Sequence, residues 1–148
     1  MPQMLHVLNA ATLGIHACCL LAAAPDNQHL TSKDMAETLN GSANHISKIL
    51  QILTRAGILR SIRGPSGGFV LACDPEKTSI LEVFEAIEGP ILKKRCMLRV
   101  PVCKPSEPCV MGSLVEDVQE MVRERFAGTT LGDMARFLNS QTLPVLPE

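Results

Sequence analysis

The apolar pattern opens with a long run. From Met4 to Ala24 nearly every position is apolar or small, and Ala24-Pro25-Asp26-Asn27 breaks it, which predicts a first helix over roughly 4–24. A second helix begins at Thr31. Thr31 and Asp34 have capping-box spacing, Leu30 and Met35 are placed as a hydrophobic staple, and Asn40-Gly41 stops the element. Ser42 is placed to cap a third helix that runs to Ala56, with Gly57 as its stop. Ile46, Ile49, Leu50 and Leu53 share one face of it. At about 100° per residue, Asn44, Lys48, Gln51 and Arg55 gather on the other. Two short helices joined this tightly read as helix-turn-helix.

The period then switches from helix to strand. Ile58-Leu59-Arg60-Ser61-Ile62-Arg63, the turn Gly64-Pro65-Ser66-Gly67-Gly68 and Phe69-Val70-Leu71-Ala72 predict a hairpin. Ser79 and Glu82 cap a fourth helix whose apolar face is Ile80, Val83, Phe84 and Ile87, closed by Gly89-Pro90. A longer helix follows from about Pro108. Its stripe of Leu114, Val115, Val118, Met121 and Val122 has to bury against something, and a partner subunit is the natural candidate. Thr130 and Asp133 start a last short helix, and residues from Asn139 on read as a poorly ordered tail. The expected fold is therefore mainly α with a small β hairpin. It divides into a winged helix-turn-helix domain (1–89), a cysteine-containing sensor loop (90–109), a dimerisation helix region (110–138) and a tail (139–148).

Charge sharpens this picture. The net charge of the 148 residues is −1, yet no acid lies between Thr38 and Cys73, where Lys48, Arg55, Arg60 and Arg63 stand. A locally basic segment in a near-neutral chain suits a nucleic-acid reader. Asn and Gln can read adenine, and Lys and Arg reach guanine or phosphate. Ser42, Asn44, His45, Lys48, Gln51 and Arg55 are the candidate contacts from the third helix; Arg60, Arg63, Gly64, Ser66 and Gly67 are those from the wing. With no Trp or Tyr and four Phe, a stacking platform for single strands is not expected. The run Leu13–Ala24 lacks a basic segment before it and contains His16, so it does not read as a signal peptide. No transmembrane run occurs, and a cytoplasmic protein with no membrane partner is expected. No C-x-x-C, Gly-rich phosphate loop or nucleophile–base pair points to an enzyme.

The remaining chemistry is sulfur. Cys96, Cys103 and Cys109 are spaced C-x6-C-x5-C in a loop that Pro101, Pro105 and Pro108 keep from being one helix. Lys93, Lys94, Arg95, Arg99 and Lys104 surround them without an acid up to Ser106, and nearby positive charge favours the thiolate that binds metals. Three soft ligands suggest an iron–sulfur or zinc site lacking one ligand, and spacing alone does not separate the two. Cys18, Cys19 and Cys73 lie in apolar contexts and read as small core hydrophobes.

The run Ala56-Gly57-Ile58-Leu59-Arg60-Ser61-Ile62-Arg63-Gly64-Pro65-Ser66-Gly67-Gly68-Phe69-Val70-Leu71-Ala72 resembles the wing of the Rrf-type transcriptional regulators, the family of IscR, NsrR, RirA and CymR. Ile80 to Gly89 resembles the element after that wing, and the cysteine triad in register with it resembles the cluster-binding branch. The likeness covers about residues 5–138. It implies a homodimeric regulator, acting as a repressor and redox sensor, on partly palindromic double-stranded DNA. Its affinity would be set by a 2Fe–2S or 4Fe–4S cluster. The alternative is a cluster-free regulator of the same fold, switched by thiol oxidation or a protein partner. Gly112 stands where one branch carries a histidine ligand, and Thr12 where another carries a carboxylate. His16, one turn further along the first helix, where a histidine also serves in the family, is a candidate for the fourth ligand; a small thiol, water or no fourth protein ligand are the alternatives. Ser47 stands where one branch has a recognition-helix Glu, which implies a different operator.

Overall fold

The structure is a computed structural model that describes residues 9–25, 28–91 and 111–140. Helix α1 (Asn9–Ala23) buries Ala11, Ile15, Ala17, Cys18, Cys19, Leu20 and Leu21, which point in several directions around its axis. A helix apolar on nearly all sides must be enclosed. The helices Ala43–Arg55, Ile80–Glu88 and Leu131–Ser140 and the strand Gly68–Leu71 enclose it.

Helix α2 (Ser32–Thr38) starts with the predicted capping box: Asp34 N donates to Thr31 Oγ1 at 3.1 Å, and Thr31 N donates to Asp34 Oδ2 at 2.9 Å. The Thr31 hydroxyl, donating to Asp34 Oδ2 at 2.7 Å, and then the Thr31 backbone N–H hold the Asp34 carboxyl below its usual range. Leu30 and Met35 are both buried, as a staple requires. Asn40, at φ 50, turns the chain toward helix α3 (Ala43–Arg55). Ile46, Ile49, Leu50 and Leu53 of α3 are buried, and Gly57 ends the helix region at φ 78.

Strands β1 (Leu59–Ile62) and β2 (Gly68–Leu71) pair antiparallel, with Leu59 opposite Leu71 and Ile62 opposite Gly68. The hairpin carries an addition that the sequence pattern did not show. Leu30, just before α2, bridges Phe69 through two backbone bonds of 3.2 and 2.9 Å. The root of the wing is thereby sewn to the start of the helix-turn-helix.

Helix α4 (Ile80–Glu88) has the Ser79/Glu82 capping box, and Gly89 closes it at φ 81. Besides the predicted face it buries Leu81. Helix α5 (Leu114–Ala127) follows a turn at 111–113 and buries none of its residues. Phe126 meets Phe84 of α4 with ring centroids 5.7 Å apart. Helix α6 (Leu131–Ser140) is started by reciprocal bonds between Thr130 and Asp133. It then packs on α1, with Leu131 and Ala135 buried. The sequence division grouped this helix with the dimerisation segment. In the structure its apolar stripe completes the wrapping of α1, while α5 is left with no wrapping of its own. Among the described residues no helix is long and apolar enough to cross a membrane. The beginning of the predicted first helix (4–8), the sensor loop from 92 and the tail from 141 lie outside the described residues.

Gly14 marks the tightest crossing. A Cβ there would collide with Ile87 Cδ1 of α4 and lie 3.1 Å from Ile49 Cγ2 of α3. Gly14→Val should destabilise the protein by about 1–3 kcal/mol through overpacking. The check is the urea midpoint at fixed protein concentration. An unchanged or higher midpoint would show that the crossing has room to spare.

Candidate nucleic-acid interface and sensor region

Because the apolar face of α3 is held in the core, its other face is forced outward. Asn44, Lys48, Gln51 and Arg55 are all exposed, as the helical spacing requires. His45 is half-buried at the edge of this face. Ser42 occupies the N-cap position at φ −77, ψ 126, but its hydroxyl makes no capping bond, so the expected cap is positional only. The exposed hydroxyl at the N-terminus of a helix points where an anion is favoured.

The wing presents Arg63, Gly64, Pro65 and Ser66 at its exposed tip. Gly64 adopts φ 117, and Gly67 N donates to Gly64 O at 2.9 Å. A Cβ on Gly67 would strike the Ile62 carbonyl, so the turn depends on its two end glycines. Gly68 has a different reason. Its Cβ would come within 2.8 Å of the Leu30 carbonyl, so this glycine admits the bridging segment. The second Gly of the pair, at the start of a strand, was the sequence signal for that close approach. Arg60 is exposed at the hairpin root, where it lines a groove of about 350 Å³ with Leu21, Ala22, Pro25, Ile62 and Val70. It therefore stands apart from Arg63 at the tip.

Electrostatics separates the two halves of the chain. Among the described residues the ion pairs are Lys77–Asp74, Arg123–Glu120 and Arg136 with Glu76 and Asp133. Lys48, Arg55, Arg60 and Arg63 take part in none of them, so their charges are uncommitted.

Cys96, Cys103 and Cys109 lie outside the described residues, between Ile91 and Met111. His16 is described, and its chemistry suits a ligand. It is exposed on α1, and its Nδ1 lies 2.7 Å from the Thr12 carbonyl. That contact requires the proton on Nδ1, which leaves the Nε2 lone pair for a metal. Gly112 adopts φ 58 in the turn before α5, a backbone conformation that favours glycine over a side-chain ligand. Cys18 and Cys19 are free and buried, as expected of small core hydrophobes. Burial, with the neighbouring Cys19 and Cys73 sulfurs adding to it, pushes the Cys18 thiol far up; burial alone raises Cys19 to about 11. Cys73 is free and half-buried. Among the described residues no group of three or more His, Cys, Asp or Glu is arranged to hold a metal ion.

A helix-turn-helix whose second helix turns an uncommitted polar face outward, followed by a glycine-tipped basic hairpin, defines a winged DNA-binding protein. The Rrf2 family model, described as "Iron-dependent Transcriptional regulator", matches residues 8–136. The chain belongs to the Rrf2 family of transcriptional regulators. It is 29% identical over 109 residues to the HTH-type transcriptional regulator CymR of Bacillus subtilis (strain 168), covering 74% of each chain. Over 112 residues it is 26% identical to the HTH-type transcriptional regulator IscR of Klebsiella pneumoniae (strain 342), covering 76% of this chain and 67% of that one. The solved structure of CymR (YrzC), the global cysteine regulator of B. subtilis, superposes with a TM-score of 0.73 at 28% identity, over 90% of this chain and 98% of that one. T. potens IscR shares the fold with a TM-score of 0.74 at 24% identity, over 96% and 95% of the two chains. The relatives are regulators and not enzymes, in line with the absence of catalytic motifs in the sequence.

The thiols offer a test of this division of labour. At pH 8 a thiol raised to about 11 is ionised in only about one molecule per thousand. Brief alkylation of the native, metal-free protein should therefore mark the triad cysteines and spare Cys18 and Cys19, whereas alkylation in denaturant marks all six. Peptide mass mapping reads the pattern. Labelling of Cys18 and Cys19 as fast as the triad would contradict their burial.

Proposed function

We propose that the chain is a homodimeric repressor whose grip on partly palindromic double-stranded DNA is set by an iron–sulfur cluster at the three-cysteine loop. The observation that carries the DNA part is the uncommitted polar face of α3. Ser42, Asn44, His45, Lys48, Gln51 and Arg55 meet a major groove. Arg63, Gly64, Ser66 and Gly67 reach the neighbouring minor groove from the wing tip, with Arg60 behind them at its root. The exposed side chains of Leu114 and Met121, with half-exposed Val115, Val118 and Val122, make α5 the face that pairs with a second copy. A two-fold dimer reads two half-sites whose spacing mirrors the separation of its recognition helices.

Cys96, Cys103 and Cys109 are the sulfur donors for a 2Fe–2S or 4Fe–4S cluster, and the partner subunit's His16 is the fourth ligand through Nε2. When bound, such a cluster would supply a cross-link between the loop and the partner's α1. The loop connects α4 to α5, so the tension or slack in it biases how α5 sits and how far apart the two α3 helices stand. The five cations of the loop lower the cost of keeping three thiolates close together.

Anaerobic isolation with iron and sulfide analysis decides the cofactor. A brown protein whose iron is lost in Cys103→Ser, with a changed operator affinity, is the expected result. A colourless protein with free thiols would replace the cluster with switching by thiol oxidation or a protein partner.

DNA contact is read separately with Lys48→Ala. If Lys48 neutralises a phosphate, binding weakens on all sequences and the slope of log affinity against log salt flattens by about one. An unchanged slope would remove Lys48 from the phosphate-contacting set.

A further inference from the structure

The turn that leaves the wing is fastened to the elbow between α5 and α6. Ile80 N donates to Thr129 O at 2.9 Å, Leu131 N to Thr78 O at 3.0 Å, and Gly132 N to Pro75 O at 2.8 Å, with Ser79 and Thr130 forming a bridge between them. Arg136 adds a side-chain lock. Its Nη1 donates to both oxygens of Glu76 at 2.6 and 2.7 Å, and its Nη2 to Asp133 Oδ1 at 2.6 Å. The Glu76 carboxylate lies so close over Gly132 that any Cβ there would collide with it.

The location of this lock is what gives it meaning. Glu76 and Arg136 are 59% and 60% exposed, and ion pairs so exposed contribute little to stability. A planar guanidinium spanning two carboxylates does fix direction. On one side of the elbow, α6 is anchored in the core by Leu131. On the other side, α5 has no fully buried residue, touches α4 through half-buried Phe126 near the elbow, and runs 14 residues, about 21 Å, toward the cysteine loop. A rotation of about 10° at the elbow would move its far end by about 4 Å, close to the roughly 3.4 Å rise of one base pair.

We propose that Glu76 and Arg136 are positioning residues that lock the α5–α6 elbow to the wing-exit turn and so set the spacing between the two DNA-reading domains of the dimer. This rests on the reading that the chain is a DNA-binding dimer paired through α5. In the locked state the wing, α4 and α6 move as one body. Any change in the setting of α5 is then delivered to the wing rather than absorbed at the elbow.

The test uses the full chain and Arg136→Met, with Glu76→Gln as a second variant from the other side of the pair. Two readouts are taken. Without DNA, hydrogen exchange at Ile80, Leu131 and Gly132 should accelerate severalfold in either variant while the melting temperature and dimer mass stay put. With DNA selected in vitro from a random pool, one base pair inserted between the half-sites should cost the wild type about tenfold in affinity or more. The same insertion should cost the variants clearly less. Unaltered exchange at the three amides overturns the lock. Accelerated exchange with an unaltered spacing penalty overturns its role in spacing. If the wild type selects no DNA, the functional reading falls, and the exchange readout by itself decides whether the two side chains hold the elbow.

Discussion

The architecture depends on one requirement, that α1 be kept from water on nearly every side. Full burial of an aliphatic side chain is worth about 1.5–3 kcal/mol, and α1 buries Ile15, Leu20 and Leu21 together with two cysteines and two alanines. No exposed ion pair among the described residues competes with that. Three helices and a strand must therefore surround α1. One of them is α3, whose direction is set by Ile46, Ile49, Leu50 and Leu53 entering the same core. Hydrophobic burial aims the recognition helix, so none of its polar side chains is needed for aiming. That is why Asn44, Lys48, Gln51 and Arg55 are available for a ligand.

Much of this could be read from the chain because it is encoded locally. The pairs Thr31/Asp34, Ser79/Glu82 and Thr130/Asp133 each satisfy backbone donors within four residues, and each opens a helix where the spacing placed it. The two faces of α3 and the glycine-tipped hairpin were equally local. The features that escaped are the ones involving distant partners. An apolar stripe shows that α6 must be buried without showing that α1 is what buries it. The Leu30–Phe69 bridge joins residues nearly forty positions apart, with only the second glycine of a pair to mark it. Ser42 had the right residue type for a side-chain cap, yet its hydroxyl is left over. Arg60 was read with Arg63 as a wing cation because both lie on the hairpin; the close approach of α1 puts it in a groove at the root.

Charge is divided as sharply as burial. Among the described residues the cations that form ion pairs, Lys77, Arg123 and Arg136, all follow the wing. Those between Thr38 and Cys73 have no acid in their own segment to pair with. Removing acids from one stretch costs nothing in stability where the cations are solvated, and it leaves a positive potential on one side of a molecule that is nearly neutral as a whole. Attraction is thereby strengthened on the segment that carries the reading groups. A uniformly basic surface would gather polyanions in any orientation.

If the three-cysteine loop takes a metal as proposed, the adjacent thiols of Cys18 and Cys19 bear on which sulfurs would receive it. Six cysteines in 148 residues would ordinarily offer soft ions several competing sets of donors, a neighbouring pair among them. Enclosure in the core takes that pair out of the competition during the life of the folded protein. The order of events then becomes important. A chain that folds before it encounters metal presents a narrowed choice of sulfurs, whereas a nascent chain presents all of them. Under that proposal folding would act as a proofreading step for metallation, with errors in loading concentrated in the interval before α1 is enclosed.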